Sequence, residues 1–131
     1  MLIFGHRFIL SDSFYHIDSI DDIKDTPSSS ILHIEFDESS LEIINFLRDN
    51  GITFALSVKN IKELIYASSL GASFILIDNK LSKIANDIAN NYLFDAKVLV
   101  HIDHEDEIEE IAKIGVDGVI FDNAIVYIKT L

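Results

Sequence analysis

The sequence contains no cysteine and no tryptophan, and only one proline, one methionine and five glycines in 131 residues. The lack of cysteine excludes disulfides, thiolate metal sites and a cysteine nucleophile, and makes the cytoplasm the expected compartment. Basic residues are scarce: ten Lys and Arg stand against 22 Asp and Glu, for a formal charge of −12. Such a surplus of acid argues against nucleic acid, whose phosphates call for basic patches, and against an anionic membrane surface. A small phosphorylated molecule stays within reach, because a metal ion can mediate its binding. No apolar run is long enough to span a bilayer. The opening MLIFGHRFIL lacks a basic segment followed by a small-residue cleavage site, so no signal peptide is expected.

What the sequence does hold is a large apolar fraction, 49 %, enough to exclude disorder. The length suits one domain over residues 1–131 with a real core. Two segments align without a gap at an offset of 44: FALSVKNIKELIYASSLGASFILIDN (54–79) and VLVHIDHEDEIEEIAKIGVDGVIFDN (98–123). A weaker copy, residues 15–38, aligns with the first at an offset of 41. Each copy reads strand, helix, strand, the signature of parallel βαβ units. Strands are expected near 2–6, 14–17, 31–36, 53–58, 73–77, 97–102 and 117–121. The tail IVYIKTL is either an eighth strand or a docking segment. Apolar spacing marks helices at Leu41/Ile44/Leu47, Ile61/Leu64/Ile65, Leu81/Ile84/Ala85/Ile88 and Ile108/Ile111/Ala112. Gly71 and Gly115 stand as helix stops.

Period-two alternation splits each strand into two faces. Tyr15/Ile17, Leu32/Ile34/Phe36, Phe54/Leu56/Val58 and Val98/Val100/Ile102 share an apolar face that should lie under the helices. The other face carries His16/Asp18, His33/Glu35/Asp37, Ser57/Lys59, Asp78, His101/Asp103 and Asp122. An open doubly wound sheet would bury these polar groups under a second helix layer at high cost. A small (β/α) barrel or partial TIM-like barrel is therefore expected, with an open flavodoxin-like sheet as the alternative. A full barrel usually takes about 250 residues, so this one is very compact, open, or completed as a homodimer. Ligands of either fold bind at the carboxyl ends of the strands. Asp78 and Asp122 there read most simply as helix N-caps, whereas Glu35 and Asp37, two apart on one strand face, offer the oxygen pair a hard cation needs.

Gly5-His6-Arg7 followed by Glu35-Phe36-Asp37 resembles the His-Arg-Gly and Glu-x-Asp motifs of glycerophosphodiester phosphodiesterases. Residues 98–123 are similar to that family's closing strand-helix-strand, and Val58-Lys59 to its central Glu-x-Lys. The resemblance implies a (β/α) barrel that hydrolyses glycerophosphodiesters with Mg²⁺ or Ca²⁺. By position, His6 is then the acid/base histidine, Arg7 a phosphate ligand of the catalytic pair, Glu35 and Asp37 the metal ligands, and Lys59 a substrate contact. Such groups suit phosphoryl chemistry: cations neutralise charge on the phosphoryl oxygens and histidine moves protons near neutral pH. The chain departs from the family at Phe8, in place of Gly, and at Ser57, in place of a metal-binding Glu. It also lacks the inserted segment with a second histidine, which leaves His101 or His104 to take that place. Two expectations follow: a metal-dependent phosphodiesterase, or a non-catalytic domain that binds a small phosphorylated ligand or a protein. A response-regulator-like module ranks behind both, since no Lys follows a late strand where one is needed.

Overall fold

The computed structural model describes residues 1–128. Its elements run β1 (Leu2–Phe4), β2 (Phe14–His16), β3 (Ile31–Glu35), α1 (Leu41–Asp49), β4 (Phe54–Ser57), α2 (Ile61–Ser69), β5 (Phe74–Asp78), α3 (Ser82–Asn91), β6 (Lys97–His101), α4 (Ile108–Ile114), β7 (Gly118–Ile120) and β8 (Ile125–Tyr127). Turns of 3₁₀ helix precede α1, α3 and α4, and one lies between β2 and β3. The expected strands are present, and the tail supplies an eighth. Residues 129–131 of that tail lie outside the described part.

The local reasons are visible at α2. Asn60 caps it, its Oδ1 accepting the Glu63 backbone N–H at 2.9 Å, while Glu63 Oε1 accepts from the Lys59 N–H at 3.0 Å. One orphan donor of the first turn is thereby satisfied, together with the N–H of the residue that leads into the cap. Gly71 (φ +90°) and Gly115 (φ +95°) leave their helices in the left-handed region, as their positions predict. Helices α2, α3 and α4 bury a narrower strip than their apolar spacing predicts. Leu64, Ala85 and Ile111 are fully buried, but Ile65, Ile84 and Ala112 face outward. Helices of seven to ten residues touch the sheet along a single row, so a second apolar row has nothing to cover it.

All eight strands are parallel, in the order β1-β7-β6-β5-β4-β3-β2-β8. The sheet curls. Phe4 of β1, Phe14 of β2 and Phe74 of β5 are far apart in that order, yet their rings meet edge to face at 5.0, 5.3 and 5.8 Å. Together with Ala55, Leu76, Leu99, Ile120, Ala124 and Ile125 they fill the concave side. The outward-facing residues, among them Leu32, Ile34, Leu56, Ile75, Val98 and Val100, pack under the helices in a second and larger core. Helices thus flank one face of the sheet only, which makes the fold a partial (β/α) barrel and excludes the flavodoxin-like alternative.

The ends of the chain depart from simple circular order. β8 lies on β2, where a regular barrel would have β1, and β1 lies on β7. Residues 121–124 are too few to return the chain to the start of the sheet. Parallel neighbours need a crossover of about a dozen residues, so β8 enters displaced along the axis beside another strand. Stagger between tilted strands allows this. No ladder joins β1 to β8 among the described residues, so a seam remains between them.

Gly118 fixes β1 against β7. A Cβ there would lie 2.3 Å from the Leu2 carbonyl oxygen and 2.7 Å from Leu2 Cβ. Gly118→Ala is expected to lose about 1–3 kcal/mol by overpacking, read as a lower urea midpoint with an unchanged m-value.

Candidate functional site

The polar face found from alternation converges on the carboxyl-end mouth of the curl, where it forms three side-chain systems. The first is a hydrogen-bonded chain across β2, β3 and β4. His16 Nε2 lies 2.9 Å from Asp18 Oδ1, His16 Nδ1 lies 2.9 Å from His33 Nδ1, and His33 Nε2 lies 2.7 Å from Ser57 Oγ. The ladder makes this possible, because His16 pairs with His33 and Glu35 with Ser57 in register.

With both rings neutral, the proton positions follow. The Asp18 carboxylate only accepts, so His16 donates from Nε2 and its Nδ1 is a lone pair. His33 must then carry its proton on Nδ1, and its Nε2 accepts from the Ser57 hydroxyl. His33 is 1 % exposed. Burial, followed by the charges of His16 and His101, pushes its pKa down from 6.5 to about 3. It is therefore a neutral hydrogen-bonding group at physiological pH, unsuited to general acid–base work.

The second system joins the ends of β6 and β7. His101 Nε2 lies 2.6 Å from Asp122 Oδ1, but without hydrogen-bond geometry, and the buried Nε2 has no hydrogen-bond partner. Ligand atoms of His101, Asp103 and Asp122 all lie within 4.8 Å of one another. The N-cap expectation holds by position for Asp78, though its side chain makes no capping hydrogen bond, and fails for Asp122. Asp78 precedes a 3₁₀ turn without a side-chain cap and lies 3.9 Å from Lys80 Nζ. Asp122 sits inside its turn rather than before it.

The third system lies outside the strand. Gly5, at φ +89°, ends β1 two residues earlier than expected, so His6 and Arg7 belong to the following loop. A Cβ on Gly5 would come within 2.7 Å of Asn123 Oδ1. His6 Nε2 meets Glu105 Oε2 at 2.6 Å and Arg7 meets the same oxygen at 3.3 Å. These contacts hold the Glu105 carboxyl below its ordinary pKa, the His6 hydrogen bond first and the Arg7 charge second. The sequence resemblance gives Arg7 to phosphate and points to no role for Glu105, which comes to His6 and Arg7 only through the fold. His6, Arg7, Asp103, His104, Glu105 and Asn123 line an open cavity of about 800 Å³.

The remaining expected residues lie elsewhere. Glu35 and Asp37 line a smaller pocket of about 230 Å³ with Asp18, Ser39 and Ser40. Asp37 accepts from the Ser39 hydroxyl at 2.9 Å. That bond, then neighbouring backbone N–H groups and the Lys59 charge, lowers its pKa. Glu35 and Asp37 fit a hard cation only in part: they bring two carboxylates, and Ser57, where the resembled family has a third, is bonded to His33. Lys59 is exposed, with its charge near Asp37. The structure thus places His6 and Arg7 in one concavity and Glu35 and Asp37 in another, with the exposed Lys59 contributing only its charge near Asp37. Of His101 and His104, His104 lines the same cavity as His6.

Among the described residues no helix is long and apolar enough to cross a membrane. No protein-family model matches the chain, and no curated protein matches it.

Proposed function

We propose that this chain is a ligand-binding barrel module that holds a small phosphorylated molecule in the His6–Arg7 cavity without hydrolysing it. The observation that carries this reading is the division of the expected catalytic set between two concavities. Phosphodiester hydrolysis needs the cation, the proton-transfer group and the phosphoryl oxygens around one reacting centre. Binding needs less. The Arg7 guanidinium spends one contact on Glu105 and has further donors for phosphate oxygens. Asn123 and His104 line the same space. The resemblance to glycerophosphodiester phosphodiesterases supplies the substrate class, and Ser57 in place of a metal-binding Glu supports loss of turnover.

The test is calorimetry and thermal melting with glycerol 3-phosphate and with glycerophosphocholine, each with and without Mg²⁺. Saturable binding should raise the melting temperature, by about 2.7 kcal/mol of added stability at a hundredfold excess over Kd. Arg7→Ala should abolish the rise, and no choline or phosphate should be released. Metal-dependent hydrolysis lost in Glu35→Gln would replace this reading with the phosphodiesterase. Failure of both ligands to bind would end it.

A further inference from the structure

We propose that His101, Asp103 and Asp122 form a binding site for a divalent first-row transition cation such as Zn²⁺ or Mn²⁺. The site stands whether or not a phosphorylated ligand occupies the adjoining cavity. Its first support is geometric: one imidazole nitrogen and two carboxylate oxygens fall within 4.8 Å of one another. Three atoms bound to one ion at about 2.0–2.2 Å each must lie within roughly 4.4 Å of one another, so a small side-chain adjustment suffices.

The second support is the imidazole itself. The His101 side chain is 38 % exposed, but its Nε2 atom is buried, lies 2.6 Å from Asp122 Oδ1 as an ion pair and makes no hydrogen bond. A buried ring nitrogen that makes no hydrogen bond calls for an explanation. Two ligands of one ion bonded at about 2.0–2.2 Å stand roughly 3 Å apart, so on binding this contact opens by a few tenths of an ångström and the ion takes the place of the missing hydrogen bond. If Nε2 is the ligand, the proton belongs on Nδ1, the tautomer that metal-bound imidazoles adopt.

The internal repeat shows that the arrangement is not a by-product of the fold. At an offset of 44 the equivalents of His101, Asp103 and Asp122 are Ser57, Lys59 and Asp78. The first copy puts an ammonium where the second puts a carboxylate, and a hydroxyl where the second puts an imidazole. Lys80 lies 3.9 Å from Asp78. The first copy thus carries its own cations, and the second gathers ligands for one from outside. Both ends of β6 and β7 involved here are carboxyl ends, where barrels of this type place ligands.

The donor set selects the metal. One nitrogen and two oxygens suit zinc, manganese, cobalt or nickel better than Ca²⁺, which prefers an all-oxygen shell. Three protein ligands leave a coordination position open, as in catalytic rather than structural zinc sites. Asp103 also lines the His6–Arg7 cavity, so the open position adjoins that space.

The chain, stripped with EDTA, is titrated with Zn²⁺ and with Mn²⁺ by calorimetry. Long-range ¹H–¹⁵N spectra of the imidazoles follow the same titration. One equivalent should bind, with the His101 Nε2 resonance moving and those of His16 and His33 unmoved. Asp103→Asn and Asp122→Asn change exposed side chains, so the fold should survive, as a melt of each variant checks. Each should weaken binding about tenfold or more, whereas His104→Gln, Glu35→Gln and Asp37→Asn should leave it unchanged. Absence of one-equivalent binding, binding indifferent to both aspartate variants, or binding lost only with Glu35→Gln would each overturn the assignment.

Discussion

Replacing Phe14 by alanine should cost about 3–5 kcal/mol of stability, out of roughly 7–20 kcal/mol for a chain of this length. The ring is fully buried and packs edge to face on Phe4 at 5.0 Å and Phe74 at 5.3 Å. Those neighbours come from β1 and β5, each held by its own backbone ladder. The walls therefore relax little into the space left by a missing ring, and the cavity term adds to the lost transfer energy. Phe8 provides the control, since it is 78 % exposed and its truncation should change stability by no more than about 0.5 kcal/mol. Urea midpoints of the two variants measured together decide the matter. Equal midpoints would mean that the concave side is not a packed core and that the sheet does not close on these rings.

The second large effect is a loss of stability in mild acid. His33 has a folded pKa of about 3 against 6.5 for a free histidine, chiefly because of burial. The unfolded chain takes up a proton near pH 6.5 that the folded chain refuses until pH 3. His33 thus contributes stability in full above pH 6.5, and the contribution is lost as pH falls from there towards 3. Between pH 7 and pH 5 the expected loss is about 2 kcal/mol from this one group. The depressed carboxyls of Asp37, Glu105 and Glu107 act in the same direction, but below their ordinary values of 3.8 and 4.5, outside this window. Urea midpoints from pH 7 to pH 5 should therefore fall, and a His33→Gln variant should show a flatter profile whatever its absolute stability. The His33 imidazole resonances provide a direct check. If they titrate near pH 6.5 in the folded protein, the ring is not buried as described.

These two residues also show how far local pattern carries. Phe14 and His33 sit on the same strand face by alternation, and that face was readable from period two alone. What alternation does not give is depth along the strand. Phe14 opens β2 and falls among aromatic rings, while His33 lies nearer the mouth, one layer above the interior core. The helices illustrate the opposite error. Ile65, Ile84 and Ala112 satisfy helical periodicity as well as their buried neighbours do, yet short helices on a curved sheet bury one row only.

The candidate sites divide in the same way. Asp103 is two residues from His101 on one strand face, so their proximity was legible; Asp122 joined them only through the β6–β7 ladder. Glu105 lies 99 positions from His6, and no spacing rule links them. The expected grouping of His6, Arg7, Glu35, Asp37 and Lys59 assumed a single mouth, whereas the loop after β1 carries His6 and Arg7 to the β6–β7 side.

By itself, the sequence determined the parallel α/β class, the strand positions, the repeat and which face of each strand lies under the helices. Apart from the repeat, which shows as self-alignment at an offset of 44, these follow from periodicity within about ten residues, where backbone geometry leaves little choice. Tertiary structure alone decided the order of the terminal strands, the ring cluster inside the curl, the burial of His33 and the membership of each polar cluster. These depend on stagger and curvature accumulated over eight strands, and on contacts as distant in the chain as Leu2 with Gly118, for which local sequence carries no signal.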